Sequence, residues 1–292
     1  MTADPRHAIL ADAVLTWTLK HCSCRGGVAW HTPRALYAAT FAAHCGPPDA
    51  ADWETLLCTK FNTMFFDIDD GPHGELASLA SQLRSGRPVR AGELGDLHQA
   101  LLADMRAHGL DTAQTEADIA DLCVATANEA DHDVRTMTPE QFRAQRLLTV
   151  AAIPYISCWR AIRRVPKPDT EYLVEEAVEA LYISNDLASL AKETASGADG
   201  AYVTSNVVRY RMAHFGQDLE SAITTATNRY NHIADTLRNA PPGPLTTILT
   251  GVVDGNLRAH LDLSSAVYPG AARMLSGLRP ASTAPGRVRA RS

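Results

Sequence analysis

The stretch YLVEEAVEALYISNDLASLAKE, residues 172–193, decides how this chain is read. Its apolar residues recur at helical spacing, it contains neither Gly nor Pro, and it is too long for a strand. Within it Asn185, Ser189 and Glu193 fall at i, i+4 and i+8, and at about 100° per residue they form one stripe over two turns. An amide oxygen, a hydroxyl and a carboxylate then point the same way. These are three hard donors of the kind Mg²⁺ accepts while keeping other positions for water and phosphate oxygens. Lys192 beside them is a point charge suited to phosphate. Taken singly, each residue is explained by a bond back to its own helix or by solvation. The complete pattern on so apolar a helix is not.

Working outward, the helical period predicts helices near 6–20, 34–44, 50–70, 75–84, 93–108, 112–133, 139–163, 170–195, 201–213, 217–239 and 244–263, and no alternating strand is found. The fold class is therefore all-α, with Gly-Pro and Pro-Pro clusters such as Gly46-Pro47-Pro48 and Pro241-Pro242-Gly243-Pro244 marking the breaks. At 292 residues and 46% hydrophobic content the chain can bury a full core. No uncharged apolar run approaches the roughly 18–20 residues of a membrane span. A net charge of −6 argues against nucleic acid or an anionic membrane as partner. Cys22, Cys24, Cys45, Cys58, Cys123 and Cys158 include only a C-x-C pair, and the N-terminus lacks the pattern of a signal peptide. Free thiols in a reducing cytoplasm are the expectation. One domain over residues 1–275 is expected, followed by a flexible basic tail over 276–292 that is rich in Arg, Pro, Gly and Ser.

Asn185-Asp186-Leu187-Ala188-Ser189-Leu190-Ala191-Lys192-Glu193 resembles the metal-binding helix of the class I terpene synthases, N-D-x-x-S-x-x-x-E with a basic residue before the final Glu. Three other segments resemble that family in the right order. Phe65-Phe66-Asp67-Ile68-Asp69-Asp70-Gly71-Pro72-His73 lies where the family carries its aspartate-rich motif. Either Asp69-Asp70 lead a D-D-x-x-D whose last place is His73, or Asp67 leads a D-x-D-D. On a helix Asp67 and Asp70 are about 60° apart, whereas Asp67 and Asp69 are about 200° apart. That spacing predicts a larger role for Asp70 than for Asp69. Arg146, three residues before Thr149, takes the place of the arginine that reads the substrate diphosphate, and its planar fork suits that task. Leu147 replaces the second arginine of the pattern, and Ala151-Ala152 with Pro154 stand where the family has a helix-breaking glycine. Tyr268 matches the closing R-Y pair, but Val267 replaces its arginine, so either Arg258, Arg273 or Lys192 substitutes or the closed state is held less firmly.

The resemblance implies a single α-helical bundle of about ten or eleven helices around a central apolar cavity, as in the bacterial single-domain cyclases. It implies Mg²⁺ as cofactor, three ions held by Asp67, Asp69, Asp70, Asn185, Ser189 and Glu193, and a prenyl diphosphate as substrate gripped by Arg146, Lys192 and Tyr268. Phe65, Phe66, Tyr155, Trp159 and Tyr182 are the expected walls of the substrate pocket. The substrate would be a C15 or C20 diphosphate, or a bicyclic diterpenyl diphosphate, whose carbocation is cyclised or rearranged as diphosphate leaves. A homodimer is left open. A trans-prenyltransferase would need a second aspartate-rich motif where NDLASLAKE stands, a class II cyclase would leave the Asn185 stripe unexplained, and a degenerate helical binding protein would keep the scaffold without turnover.

Overall fold

A computed structural model describes residues 5–22, 27–70, 73–85, 92–129, 133–168, 171–196, 205–264 and 266–282. Among them the regular elements are thirteen α-helices and two short 3₁₀ turns. In chain order the helices are α1 (Pro5–His21), α2 (Gly27–His44), α3 (Asp52–Asp70), α4 (Leu76–Ser85), α5 (Gly92–Ala107), α6 (Ala113–Glu129), α7 (Pro139–Thr149), α8 (Ala152–Arg163), α9 (Tyr172–Ser196), α10 (Val207–Phe215), α11 (Leu219–Asn239), α12 (Pro244–Leu263) and α13 (Ala271–Leu275). None of them is long and apolar enough to cross a membrane.

The central element is α9, which packs against α7, α8, α10, α11, α12 and α13. Its period explains this position: Ala177, Val178, Ala180, Ile183, Leu187 and Ala188 are each at most 1% exposed, so apolar residues face neighbours on several sides. Local signals set the other starts. Thr138 and Gln141 form a capping box at α7, the Asn206 side chain caps α10, and Asp218 caps α11.

The helix expected over 139–163 is two helices, which with α13 brings the number from eleven to thirteen. Between α7 and α8, Ala151 adopts a left-handed conformation with φ of 57°, and the Val150 N–H closes α7 on the Arg146 carbonyl. Pro154 is the third residue of α8, where a missing N–H costs nothing, because first-turn donors have no helical partner. Ala151 and Pro154 thus stand in for a helix-breaking glycine. At α2 the helix begins at Gly27 and carries Pro33 inside it, rather than starting at 34. Its first turns hold the fully buried His31 and the Trp30 indole, which donates to Asp67 Oδ1 at 3.3 Å, while Pro33 leaves one helical hydrogen bond unmade. Residues 201–204, Cys24, Gly71 and Pro72 lie outside the described residues. The other five cysteines are free and buried.

The expected tail does not begin at 276. Leu278 and Ala281 are buried, the Ala281 and Ser282 amides donate to the Asp254 carboxylate at 2.5 and 3.0 Å, and Arg279 pairs with Asp235 at 2.8 Å. Acidic groups on α11 and α12 therefore bind this segment down to Ser282. Residues 283–292 lie outside the described residues.

Where α12 crosses the end of α2, two glycines let the backbones touch. A Cβ on Gly255 would lie 2.2 Å from the His44 carbonyl oxygen and 2.5 Å from Cys45 Cα, and one on Gly251 would lie 2.4 Å from the Gly46 carbonyl oxygen. All these are main-chain atoms that cannot rotate aside. Gly255→Ala is expected to lower stability by at least about 2 kcal/mol through overpacking. The exposed Gly74, with open space where its Cβ would go, should change stability by less than about 0.5 kcal/mol on the same substitution. Urea titration of both variants checks the contrast.

Candidate active site

A cavity of about 160 Å³ opens among α2, α3, the α7–α8 break, α9 and α12. Helix α3 turns one face to it, with Phe61, Asn62, Phe65, Phe66 and Asp69 at positions i, i+1, i+4, i+5 and i+8. Opposite lie Leu181 and Asn185 from α9, and the break itself supplies Arg146, Thr149, Val150, Ala151, Ala152 and Tyr155. The wall of the hollow combines aromatic and polar side chains. Aromatic rings pack against one another around it, Phe41 on Phe66 at 6.2 Å, Phe61 on Tyr155 at 5.6 Å and Phe65 on Phe66 at 5.6 Å between centroids. Asp69, Asn185, Arg146 and Asn256 make it polar elsewhere.

Asp69, on the last turn of α3, and Asn185, on α9, border the same cavity although 116 positions separate them in the sequence (185 − 69). The other two members of the Asn185 stripe lie further along α9. The Ser189 hydroxyl donates to Glu193 Oε1 at 2.5 Å, and the Asn206 amide donates to Glu193 Oε2 at 3.0 Å and to the Asp186 carbonyl at 2.8 Å. Two of the three oxygens are thus already within the roughly 3 Å that separates neighbouring ligands of an octahedral Mg²⁺ with bonds of about 2.1 Å. The donor set is all oxygen, which suits a hard divalent cation.

Asn185 is held from below by His260. That ring is fully buried, and burial lowers its pKa to about 4, so it is neutral at pH 7. Its Nδ1 lies 2.8 Å from the Asn256 carbonyl oxygen, and its Nε2 lies 3.1 Å from the amide atom placed as Asn185 Oδ1. A carbonyl only accepts, so the single ring proton belongs on Nδ1 and Nε2 presents a lone pair. A half-turn of the Asn185 amide then gives Nε2 its donor and releases the amide oxygen for a cation.

Arg146 is 7% exposed and sits at the cavity edge. Its Nη2 donates to Asp186 Oδ1 at 2.5 Å and its Nη1 to Thr149 Oγ1 at 3.2 Å, while its buried Nε has no partner among the described residues. Asp186 also accepts from the Val207 amide at 2.8 Å. Burial drives the Asp186 carboxyl upward and Arg146 and the Val207 N–H oppose it. Burial also works against the Arg146 charge, but Asp186 and, through space, Glu129 together outweigh it, so the guanidinium stays protonated.

Some expected residues lie elsewhere. Asp67 is 1% exposed, is absent from the cavity wall and meets Trp30 of α2. The Asp70 side chain lies outside what the structure describes, and so does that of His73. Trp159 is fully buried behind the wall and donates, like Tyr155, to the Cys45 carbonyl, at 2.9 and 2.7 Å. Tyr182 faces a different hollow, shared with Phe142 and Tyr210. Phe65, Phe66 and Tyr155 do border the cavity. Tyr268 borders it too, with Lys192 Nζ 5.9 Å from its ring centre. Arg258, Arg273 and Lys192 are all exposed; Arg258 faces a separate hollow between α2 and α12, and the Lys192 ammonium is the one that approaches the Tyr268 ring. Phe41, Phe61, Asp186, Asn206, Asn256 and His260 were not anticipated. Of these only Phe61, one turn before Phe65, and Asp186, within the NDLASLAKE motif, carried a signal in sequence.

Removing one partner of the Arg146–Asp186 pair strands a buried charge. Arg146→Leu and Asp186→Leu are each expected to cost about 3–5 kcal/mol. The double variant should cost less than their sum by more than about 1 kcal/mol. A double-mutant cycle by chemical denaturation measures this coupling, and simple additivity would contradict it.

Residues 77–235 match the sequence profile of terpene synthase family 2, C-terminal metal binding. No curated protein matches the chain in sequence. Solved structures that resemble it include the SVS_A2 protein from ancestral sequence reconstruction, at 18% identity and a TM-score of 0.69, over 96% of this chain and 90% of that one. Linalool/nerolidol synthase from Streptomyces clavuligerus, in complex with 2-fluorogeranyl diphosphate, gives 18% identity and 0.68, over 88% and 99%. A single-substitution variant of cucumene synthase gives 19% and 0.66, over 88% and 96%.

Proposed function

Because this chain belongs to terpene synthase family 2, we propose that it is a Mg²⁺-dependent class I terpene synthase that ionises a prenyl diphosphate and cyclises or rearranges the resulting carbocation. The observation that carries this reading is the shared cavity: a carboxylate on α3 and an amide on α9 border one ring-walled hollow, with the buried Arg146 guanidinium at its edge.

Asp69, Asn185, Ser189 and Glu193 would hold the metal ions. When bound, these ions supply positive charge that stabilises the departing diphosphate. Asp67, turned toward α2, supports the end of α3 rather than serving as a ligand. Arg146 offers its unpartnered Nε to a phosphate oxygen, while Asp186 and Thr149 fix the guanidinium plane. Lys192 and Tyr268 close on the diphosphate as well. As the C–O bond breaks, its electron pair leaves with the diphosphate oxygen, and the allylic cation remains against Phe65, Phe66 and Tyr155. Those ring faces attract it and exclude water.

The purified chain is expected to convert farnesyl diphosphate to hydrocarbon or alcohol with release of diphosphate, only when Mg²⁺ is present, in assays that also include the geranyl and geranylgeranyl substrates and are followed by gas chromatography and mass spectrometry. Elongated diphosphates would replace this reading with a prenyltransferase, and silence with all three substrates would leave a binding protein. Asn185→Ala and Glu193→Ala should each slow diphosphate release by roughly 10²-fold or more without loss of helical circular dichroism. Asp69→Ala should do the same. Turnover retained in the Asn185 or Glu193 variant removes the metal assignment.

A further inference from the structure

Helix α8 borders the catalytic cavity with its first turn, at Ala152 and Tyr155. Its other end borders a second hollow of about 500 Å³, between the start of α6 and the turn after α8. Arg160 lies there at 7% exposure, and its Nε is buried without a hydrogen-bond partner among the described residues. The polar groups around it are committed elsewhere. Lys167 pairs with Glu171 at 2.8 Å, and Asp118 accepts from Ser157 at 2.5 Å and from Gln114 at 2.8 Å. Asp111, which borders the hollow, accepts from the Ala113 amide at 3.0 Å. Asp118 and Glu171 act on Arg160 only through space, and burial lowers its hold on the proton. The buried Nε thus lacks both a hydrogen bond and a contacting carboxylate among the described residues, and a desolvated donor left so is costly to keep.

A second buried donor faces the same space. Thr115, on the first turn of α6, is 1% exposed and its hydroxyl has no partner among the described residues. That turn brings the positive end of a 17-residue helix to the hollow. At the end of α8 the Arg164 and Val165 amides bond back to the Ala161 and Arg160 carbonyls at 3.2 and 2.9 Å, so two of the carbonyls at that end already have donors. Arg164 and Lys167 complete the wall, so the lining carries three cations and one carboxylate.

We propose that this hollow is a binding site for a tetrahedral oxyanion, inorganic phosphate or one end of inorganic diphosphate, held by Arg160 and Thr115 at the start of α6 and flanked by Arg164 and Lys167. It is separate from the catalytic cavity and does not depend on the reaction assigned there. An anion bound at the end of α8 would stiffen the helix whose other end walls that cavity.

Calorimetric titration of the full chain without Mg²⁺, first with inorganic phosphate and then with diphosphate, tests the site. Saturable binding is expected, at least about tenfold weaker in Arg160→Gln and unchanged in Asn185→Ala. Tighter binding of diphosphate than of phosphate would identify the larger ion as the occupant, and equal affinities would identify a single phosphate group. Thr115→Val, which keeps the shape of the side chain, should weaken binding several-fold and serves if Arg160→Gln loses its helical signal. The proposal is overturned by an absence of saturable heat up to about 10 mM of either ion, by binding unaltered in both the Arg160 and Thr115 variants, or by binding lost in Asn185→Ala and kept in Arg160→Gln.

Discussion

Two opposite charges, Arg146 on α7 and Asp186 on α9, lie almost out of reach of water and must satisfy each other. Taking both from solvent costs several kcal/mol per ion, recovered only when geometry is close and the remaining donors and acceptors are filled. Thr149 and the amide of Val207 do that filling, so the pair fixes three helices at once: α7, α9 and the start of α10. Arg146 also borders the cavity. A residue that would meet an anion is held in place before any anion arrives, and so little reorganisation is required of it.

The bundle could be read from the sequence because its signal is local. The period of α9, the Pro and Gly clusters and the capping residues each act within a few positions. Misreadings arose where distant parts decide. The helix expected from 34 runs back through Pro33 to Gly27, where Trp30 meets Asp67 of α3 and His31 is buried. For the α3 aspartates, angular spacing grouped Asp67 with Asp70 and could not say which face turns inward. Trp30 reaches across from α2 to Asp67, and among the described side chains of α3 Asp69 is the carboxylate that borders the cavity, with the Asp70 side chain outside them. Trp159 and Tyr182 are as aromatic as Tyr155, yet the rotation of α8 and α9 against their neighbours sends them elsewhere. His260 and Asn206 are invisible in one dimension, because each matters only through a contact with α9.

The polar part of the site is built in layers. Asn206 orients Glu193, His260 orients Asn185, and Asp186 orients Arg146. Each inner residue has a partner whose own conformation is fixed by packing, the condition for holding a ligand set to within fractions of an ångström. Of these outer partners His260 also packs on the rings of Phe41 and Tyr268, at 5.1 and 4.9 Å between centroids, so on the proposed reading one residue supports both the polar grip and the ring wall.

The seam between α12 and the end of α2 bears on the contour of the cavity. Cys45 borders the cavity, its carbonyl receives both Tyr155 and Trp159, and Gly251 and Gly255 press main chain on main chain behind it. A floor made of backbone offers natural variation almost nothing to trim or enlarge. New product skeletons in descendants of this sequence would have to be written on the α3 rings and at Val150, while the stretch from His44 to Gly46 stays as an inherited constant.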